Sequence, residues 1–182
     1  MLLKSSIAAA CLVACILGVV LIVVPAMKRS SESMLHDALV AAPLKRVTDG
    51  ANGVSVTDRL LLAELAADVT CIRNLTEIVF TSTTLNVGDQ EPLKKLVNIT
   101  TLGFYCCDNV DSIVPAIVDM HLDVLWFETS QFSADTLKII GDSHCTKEIV
   151  FEQNLTEAHV GALKSFPATI KITSSFPLDA FD

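Results

Sequence analysis

Five stretches of the chain place their apolar residues in one arrangement. They read Leu75-x-x-Ile78-x-Phe80-x-x-Thr83, Ile99-x-x-Leu102-x-Phe104-x-x-Cys107, Leu122-x-x-Leu125-x-Phe127-x-x-Ser130, Thr146-x-x-Ile149-x-Phe151-x-x-Asn154 and Pro167-x-x-Ile170-x-Ile172-x-x-Ser175. The third apolar position returns at intervals of 24, 23, 24 and 21 residues. Alternation at the fourth and sixth places of each phrase predicts a short half-buried strand. An apolar residue follows each phrase: Leu85, Val110, Phe132, Leu155 and Phe176. Helical spacing comes next, clearest at 133–140 and 156–163, where Ser133 and Thr156 are good N-cap types with an acid in the first turn. A fixed period of this length predicts a solenoid, each unit burying its apolar face against its neighbours.

The phrase resembles the leucine-rich repeat consensus L-x-x-L-x-L-x-x-N/C-x-L. Its ninth place is small and polar in every copy, as that family's hydrogen-bonding ladder requires, and the resemblance implies that Asn154 is buried there. The copies depart from the consensus by carrying phenylalanine at the third apolar place four times. The resemblance covers about residues 54–178 and implies an α/β leucine-rich-repeat solenoid of about five strand–helix units. Arg59–Ala67, opened by Thr57-Asp58, is expected to shield one end of the stack, and Ser175–Asp182 the other.

Outside the repeats, residues 5–27 carry no charge, and Lys4, Lys28 and Arg29 flank them. At ~1.5 Å per residue they can cross a ~30 Å hydrocarbon layer as a helix. The expected organisation is a single-pass anchor at 1–29 (or an uncleaved signal), a juxtamembrane linker at 30–53, and a repeat domain with caps at 54–182. Val24-Pro25-Ala26 also fits a signal cleavage site, and Leu12-Val13-Ala14-Cys15 a lipobox. The positive-inside balance favours cytoplasmic repeats, whereas proteins with one N-terminal anchor more often place the domain beyond the membrane, and that side is preferred.

The 182-residue chain is 51% hydrophobic with a formal charge of −8. Residues 30–182 hold all 21 carboxylates and 10 of the 13 basic residues, which makes them −11. That sign opposes binding to nucleic acid or anionic lipid. Cys71 and Cys145, the cysteines in comparable places, would lie three strands or roughly 14 Å apart, beyond disulfide reach. Free thiols are therefore expected at Cys71, Cys106, Cys107 and Cys145. No phosphate loop, HExxH, GxSxG, CxxC or EF-hand pattern occurs. His121, His144 and Cys145 are the best metal candidates, but their places at loop ends favour no site. Cys106 and Cys145 lack a marked catalytic partner. No catalytic, cofactor-binding or metal-binding residue is expected, and no small-molecule substrate. The sequons at Asn74 and Asn98 occupy the same place in successive repeats, so repetition explains both, whereas the one at Asn154 falls on the ladder position. Glycosylation at any of them would need a eukaryotic secretory setting.

Strand alternation leaves one face of the strands open. Its central row is expected to be Val79, Gly103, Trp126, Val150 and Lys171. Thr81, Tyr105, Glu128, Glu152 and Thr173 lie on one side of it, and Glu77, Thr101, Val124, Glu148 and Thr169 on the other. The chain's one tryptophan and one tyrosine thus fall side by side, with Glu128, Glu148 and Glu152 as an acidic edge. Aromatic anchors amid polar residues suit protein recognition. The expected role is a membrane-anchored, non-catalytic interaction module that binds a basic protein partner through Tyr105, Trp126, Glu128, Val150 and Glu152. The alternative is an assembly subunit contacting its complex through the anchor helix, whose small-xxx-small pairs could pack against another helix.

Overall fold

Each apolar alternation becomes a strand. The computed structural model describes residues 51–178, in which six strands pair in parallel: β1 (Gly53–Val56), β2 (Glu77–Thr81), β3 (Thr101–Tyr105), β4 (Leu122–Glu128), β5 (Thr146–Phe151) and β6 (Lys171–Ser174). They lie in chain order, β1 to β6. One register line runs Gly53, Glu77, Thr101, Val124, Glu148, Lys171. Parallel crossovers are right-handed, and an order that never reverses puts all of them on one face. Burial agrees: Val54, Val56, Ile78, Phe80, Leu102, Phe104, Leu125, Phe127, Ile149 and Phe151 are buried on that face. Among the described residues, no helix covers the opposite face.

The crossovers are helical because their starts are capped. Asp58 Oδ1 accepts from Leu61 N at 2.9 Å and opens α1 (Arg59–Ala67), which buries Leu61, Leu62, Leu65 and Ala66. Asp68 Oδ1 accepts from Thr70 N at 2.7 Å and Cys71 N at 2.9 Å, opening α2 (Val69–Asn74). These contacts hold the Asp68 carboxyl below its ordinary range, the Cys71 backbone bond contributing most. The next two crossovers are shorter, each a 3₁₀ turn running into a brief helix: Val87–Asp89 into α3 (Gln90–Lys95), and Val110–Ile113 into α4 (Val114–Ile117). Ser133 caps α5 (Ala134–Ser143), and Thr156 caps α6 (Glu157–Leu163) in a reciprocal box with His159.

A phenylalanine column runs through the core. Phe80, Phe104, Phe127 and Phe151 are 0 or 1% exposed. Successive ring centroids are 5.6, 5.4 and 5.7 Å apart with interplanar angles of 5°, 20° and 13°. One ring per strand, stacked at about the strand spacing, accounts for phenylalanine where leucine was the expected type.

The five-unit solenoid is corrected to an α/β domain on one six-stranded parallel sheet, the sheet type of Rossmann-like folds. A period of 23 or 24 residues is the length of one short strand plus one crossover. A short strand plus a short crossover fills that period whatever the family, so the period by itself identifies none. β1 lies where a turn and the start of a domain were expected, and α1 joins β1 to β2 instead of capping a stack. The register of β6 is also corrected: Ile149 pairs with Ile172, and Val150 with Thr173. Lys171 therefore belongs beside Glu148, not in the central row. Asn154 is exposed. Gln153 makes the ladder contact instead, accepting from Ser130 N at 2.7 Å and donating to Ser130 O at 3.0 Å. Phe176 remains 39% exposed. No helix among the described residues is long and apolar enough to cross a membrane. The anchor expected at 5–27 and most of the linker lie outside the described residues.

Candidate recognition face

On the open face the register sets Ser55, Val79, Gly103, Trp126, Val150 and Thr173 in one row. Beside it run Thr81, Tyr105 and Glu128, which pair across β2, β3 and β4. Glu152 follows β5 directly, its N–H donating to Phe127 O at 2.8 Å. Four of the five residues expected to meet a partner, Tyr105, Trp126, Glu128 and Val150, therefore stand on adjacent strands, with Glu152 at the end of the row.

Gly103 is buried although it points to the open side. A Cβ there would lie 2.6 Å from Trp126 Cε3, 3.3 Å from Trp126 Cζ3 and 3.3 Å from a Val79 methyl. The indole of β4 thus leans across β3 and occupies the space that Gly103 leaves vacant. Its other side is half-exposed, as are Val79 and Val150, while Tyr105 is 39% exposed. Tyr105 is opposite Glu128. The neighbouring Cys106 thiol, and then the Glu128 carboxylate, push the Tyr105 phenol above its ordinary range.

The acids on this face are not equivalent. Glu148 Oε1 accepts from Lys171 Nζ at 2.7 Å and Thr173 Oγ1 at 2.6 Å. The Lys171 hydrogen bond, then that of Thr173, holds the Glu148 carboxyl below its usual range. Its charge is already matched, so its place in the acidic edge is corrected. Glu77, Glu128 and Glu152 have no ion-pair partner among the described residues. The β1 end of the face carries an open hollow of about 410 Å³ beside Ser55, Glu77 and Val79.

The strand ends are held by a repeated left-handed turn. Ser82, Cys106 and Thr129, the residues after β2, β3 and β4, have φ of 49°, 53° and 50°. Behind them, buried Ser130 Oγ accepts from Cys107 N at 3.0 Å and reaches Phe104 O at 3.0 Å. Cys71, Cys106, Cys107 and Cys145 are free thiols. Burial pushes Cys107 and Cys145 up, and pushes Cys71 to about 11 with help from Asp68.

His121, His144 and Cys145 do not assemble. His144 ends α5 in the left-handed region, Cys145 is buried, and no group of three metal-ligating side chains exists among the described residues. A second hollow of about 370 Å³ lies between Leu96, Val97, Ala116 and His121, with Lys94 and Asp119 paired to each other there at 2.8 Å.

What sequence reasoning missed here is the part played by Gly103. A glycine inside an alternating strand is a signal of close approach, and its register beside the chain's one tryptophan could have exposed it.

No family model matches the chain, and no solved structure matches it. A curated protein that does match is chanoclavine-I dehydrogenase easD of Claviceps purpurea (strain 20.1), 33% identical over 78 residues. The match covers 43% of this chain and 30% of that relative. Membership of the leucine-rich repeat family is therefore not retained. Similarity to a dehydrogenase likewise overturns the expectation of a non-catalytic interaction module and removes the ground for excluding enzymatic activity.

Proposed function

We propose that the open face of the sheet recognises a protein partner through a basic, extended segment. The observation that carries this is the concentration of half-exposed Trp126, 39% exposed Tyr105, and Glu128 and Glu152, which have no ion-pair partner among the described residues, on adjoining strands. Aromatic anchors supply contact area at low entropic cost, while the carboxylates supply steering and select charge. The test is titration with an oligolysine peptide, read through the emission of Trp126, the chain's one tryptophan. Binding should weaken with salt and with Glu128→Gln or Glu152→Gln, and it should be lost in Tyr105→Ala. Binding that survives Tyr105→Ala would be generalised attraction to an acidic protein, and would sink the assignment to this face.

A second reading, oxidoreductase activity, rests on the dehydrogenase match. The described residues do not fit a dinucleotide. Open parallel sheets bind such ligands where the strand order reverses, with the pyrophosphate on a glycine-rich helix N-terminus. Here the order never reverses. The start of α1 is already occupied by the Asp58 carboxylate, which would repel a phosphate. Dihydronicotinamide cofactor, excited through Trp126, should show no energy transfer. A saturable transfer signal would establish the oxidoreductase reading over the first.

A further inference from the structure

Four positions of the open face form a square: Gly103 opposite Trp126, and Tyr105 opposite Glu128. Gly103 and Tyr105 are two residues apart on β3, as Trp126 and Glu128 are on β4, so each pair is ~7 Å apart along its strand. We propose that this square, with Glu152 beside it, is a subsite for one arginine side chain of the partner. The inference rests on the recognition reading above and names the group recognised.

Three observations converge on that group. The indole is laid over Gly103 with its other side half-exposed, and a Cβ at 103 would meet it at 2.6 Å. A half-exposed indole offers a planar aromatic surface, and guanidinium stacks on such a surface better than ammonium does. Next, the carboxylates nearest the indole on the C-terminal side, Glu128 and Glu152, have no ion-pair partner among the described residues, whereas Glu148 on the other side is matched by Lys171 and Thr173. A cation above Trp126 is thereby drawn toward Glu128, where a carboxylate accepts a guanidinium fork in two hydrogen bonds. Finally, Tyr105 stands opposite Glu128 and is 39% exposed, so it closes the square with an accessible aromatic ring.

The experiment is selection of a random heptapeptide library on the full chain, counter-selected on Trp126→Ala. Trp126→Phe is carried alongside to show that an aromatic ring there restores binding in a folded protein. Enriched peptides should share an arginine. Replacing it by citrulline, flat but neutral, should weaken binding about tenfold, and Glu128→Gln should reproduce that loss. Peptides that need Trp126 but tolerate citrulline would overturn the arginine subsite and leave the recognition face standing. A selection with no Trp126-dependent peptide would overturn both.

Discussion

Trp126 of β4 lies across Gly103 of β3, so close that a methyl group on Gly103 would sit 2.6 Å from the indole. The tryptophan is thus seated in the space left by the absence of a side chain on its neighbour. Gly103→Ala should push the ring off β3. Overpacking of this kind costs about 1–3 kcal/mol when the neighbour cannot move, and less here because the indole can swing toward solvent. Trp126 emission should shift to the red and become more accessible to iodide quenching, with little change in secondary structure. Unchanged emission would show that the ring does not rest on Gly103.

Phe104 sits in the middle of the phenylalanine column, stacked on Phe80 and Phe127. Phe104→Ala should cost about 3–5 kcal/mol in urea unfolding, the range for a buried aromatic that leaves a cavity. Phe104→Leu should cost less. Were Phe104→Leu to cost nothing, ring stacking along the column would be the wrong account of the preference for phenylalanine.

Much of this architecture is legible in the sequence where two constraints coincide. Ile78 and Phe80 alternate, and their equivalents recur on each strand, so alternation and recurrence together assign the buried face of β2 to β5. Helix starts at Ser133 and Thr156 are equally readable, because capping is local chemistry. The ends of the sheet are not. β1 carries only Val54 and Val56 after a cluster of turn residues. β6 offers Ile170 and Ile172, which fit either of two registers a pair of residues apart. An edge strand has one neighbour to specify it, and the choice falls to the crossover length. The open face was legible as a row of residues but not as a surface: that Lys171 and Thr173 engage Glu148 depends on the register of β6.

Thr129 carries a β-branched side chain at φ 50°. A left-handed conformation costs a non-glycine residue roughly 1–2 kcal/mol, while glycine returns up to about 1 kcal/mol through the entropy of the unfolded chain. Thr129→Gly should therefore be neutral to slightly stabilising, by under about 1 kcal/mol. Thr129→Asn, which tolerates this region, should do at least as well. Thermal unfolding of the two variants checks this, and a clear loss of stability in both would mean that the threonine makes a contact worth more than its strain.

The four thiols among the described residues should separate by reactivity. Cys106 is half-exposed at the end of β3, while Cys71, Cys107 and Cys145 are buried. Iodoacetamide at pH 8, followed by peptide mapping, should modify Cys106 well before the others, because alkylation needs both access and the thiolate. Burial, with Asp68 adding to it, raises Cys71 from 9.0 to about 11. A raised acid of this kind contributes stability that is complete below pH 9 and is lost as pH climbs toward 11. Cys71→Ala should flatten the alkaline limb of the stability profile across that window. Early modification of Cys71 in the native protein would contradict its burial on the inner side of α2.

Glu148 gives the opposite sign at the other end of the pH scale. Its carboxyl is held below the usual 4.5 by Lys171 and then Thr173, both on the edge strand β6. A depressed acid contributes stability that is present above the unfolded value and disappears as pH falls through the folded one. The loss should be local, because both partners belong to β6, which pairs with β5 alone. Amide exchange at Ile172 and Thr173 should accelerate as pH drops below about 4.5, after correction for the intrinsic pH dependence of exchange, while amides of β3 hold their protection. Glu148→Gln keeps an acceptor for Thr173 but loses the charge that Lys171 meets. It should show faster β6 exchange already at neutral pH and little further change on acidification. If β6 exchange in Glu148→Gln still rose on acidification as it does in the native chain, another carboxylate would have to hold the edge strand.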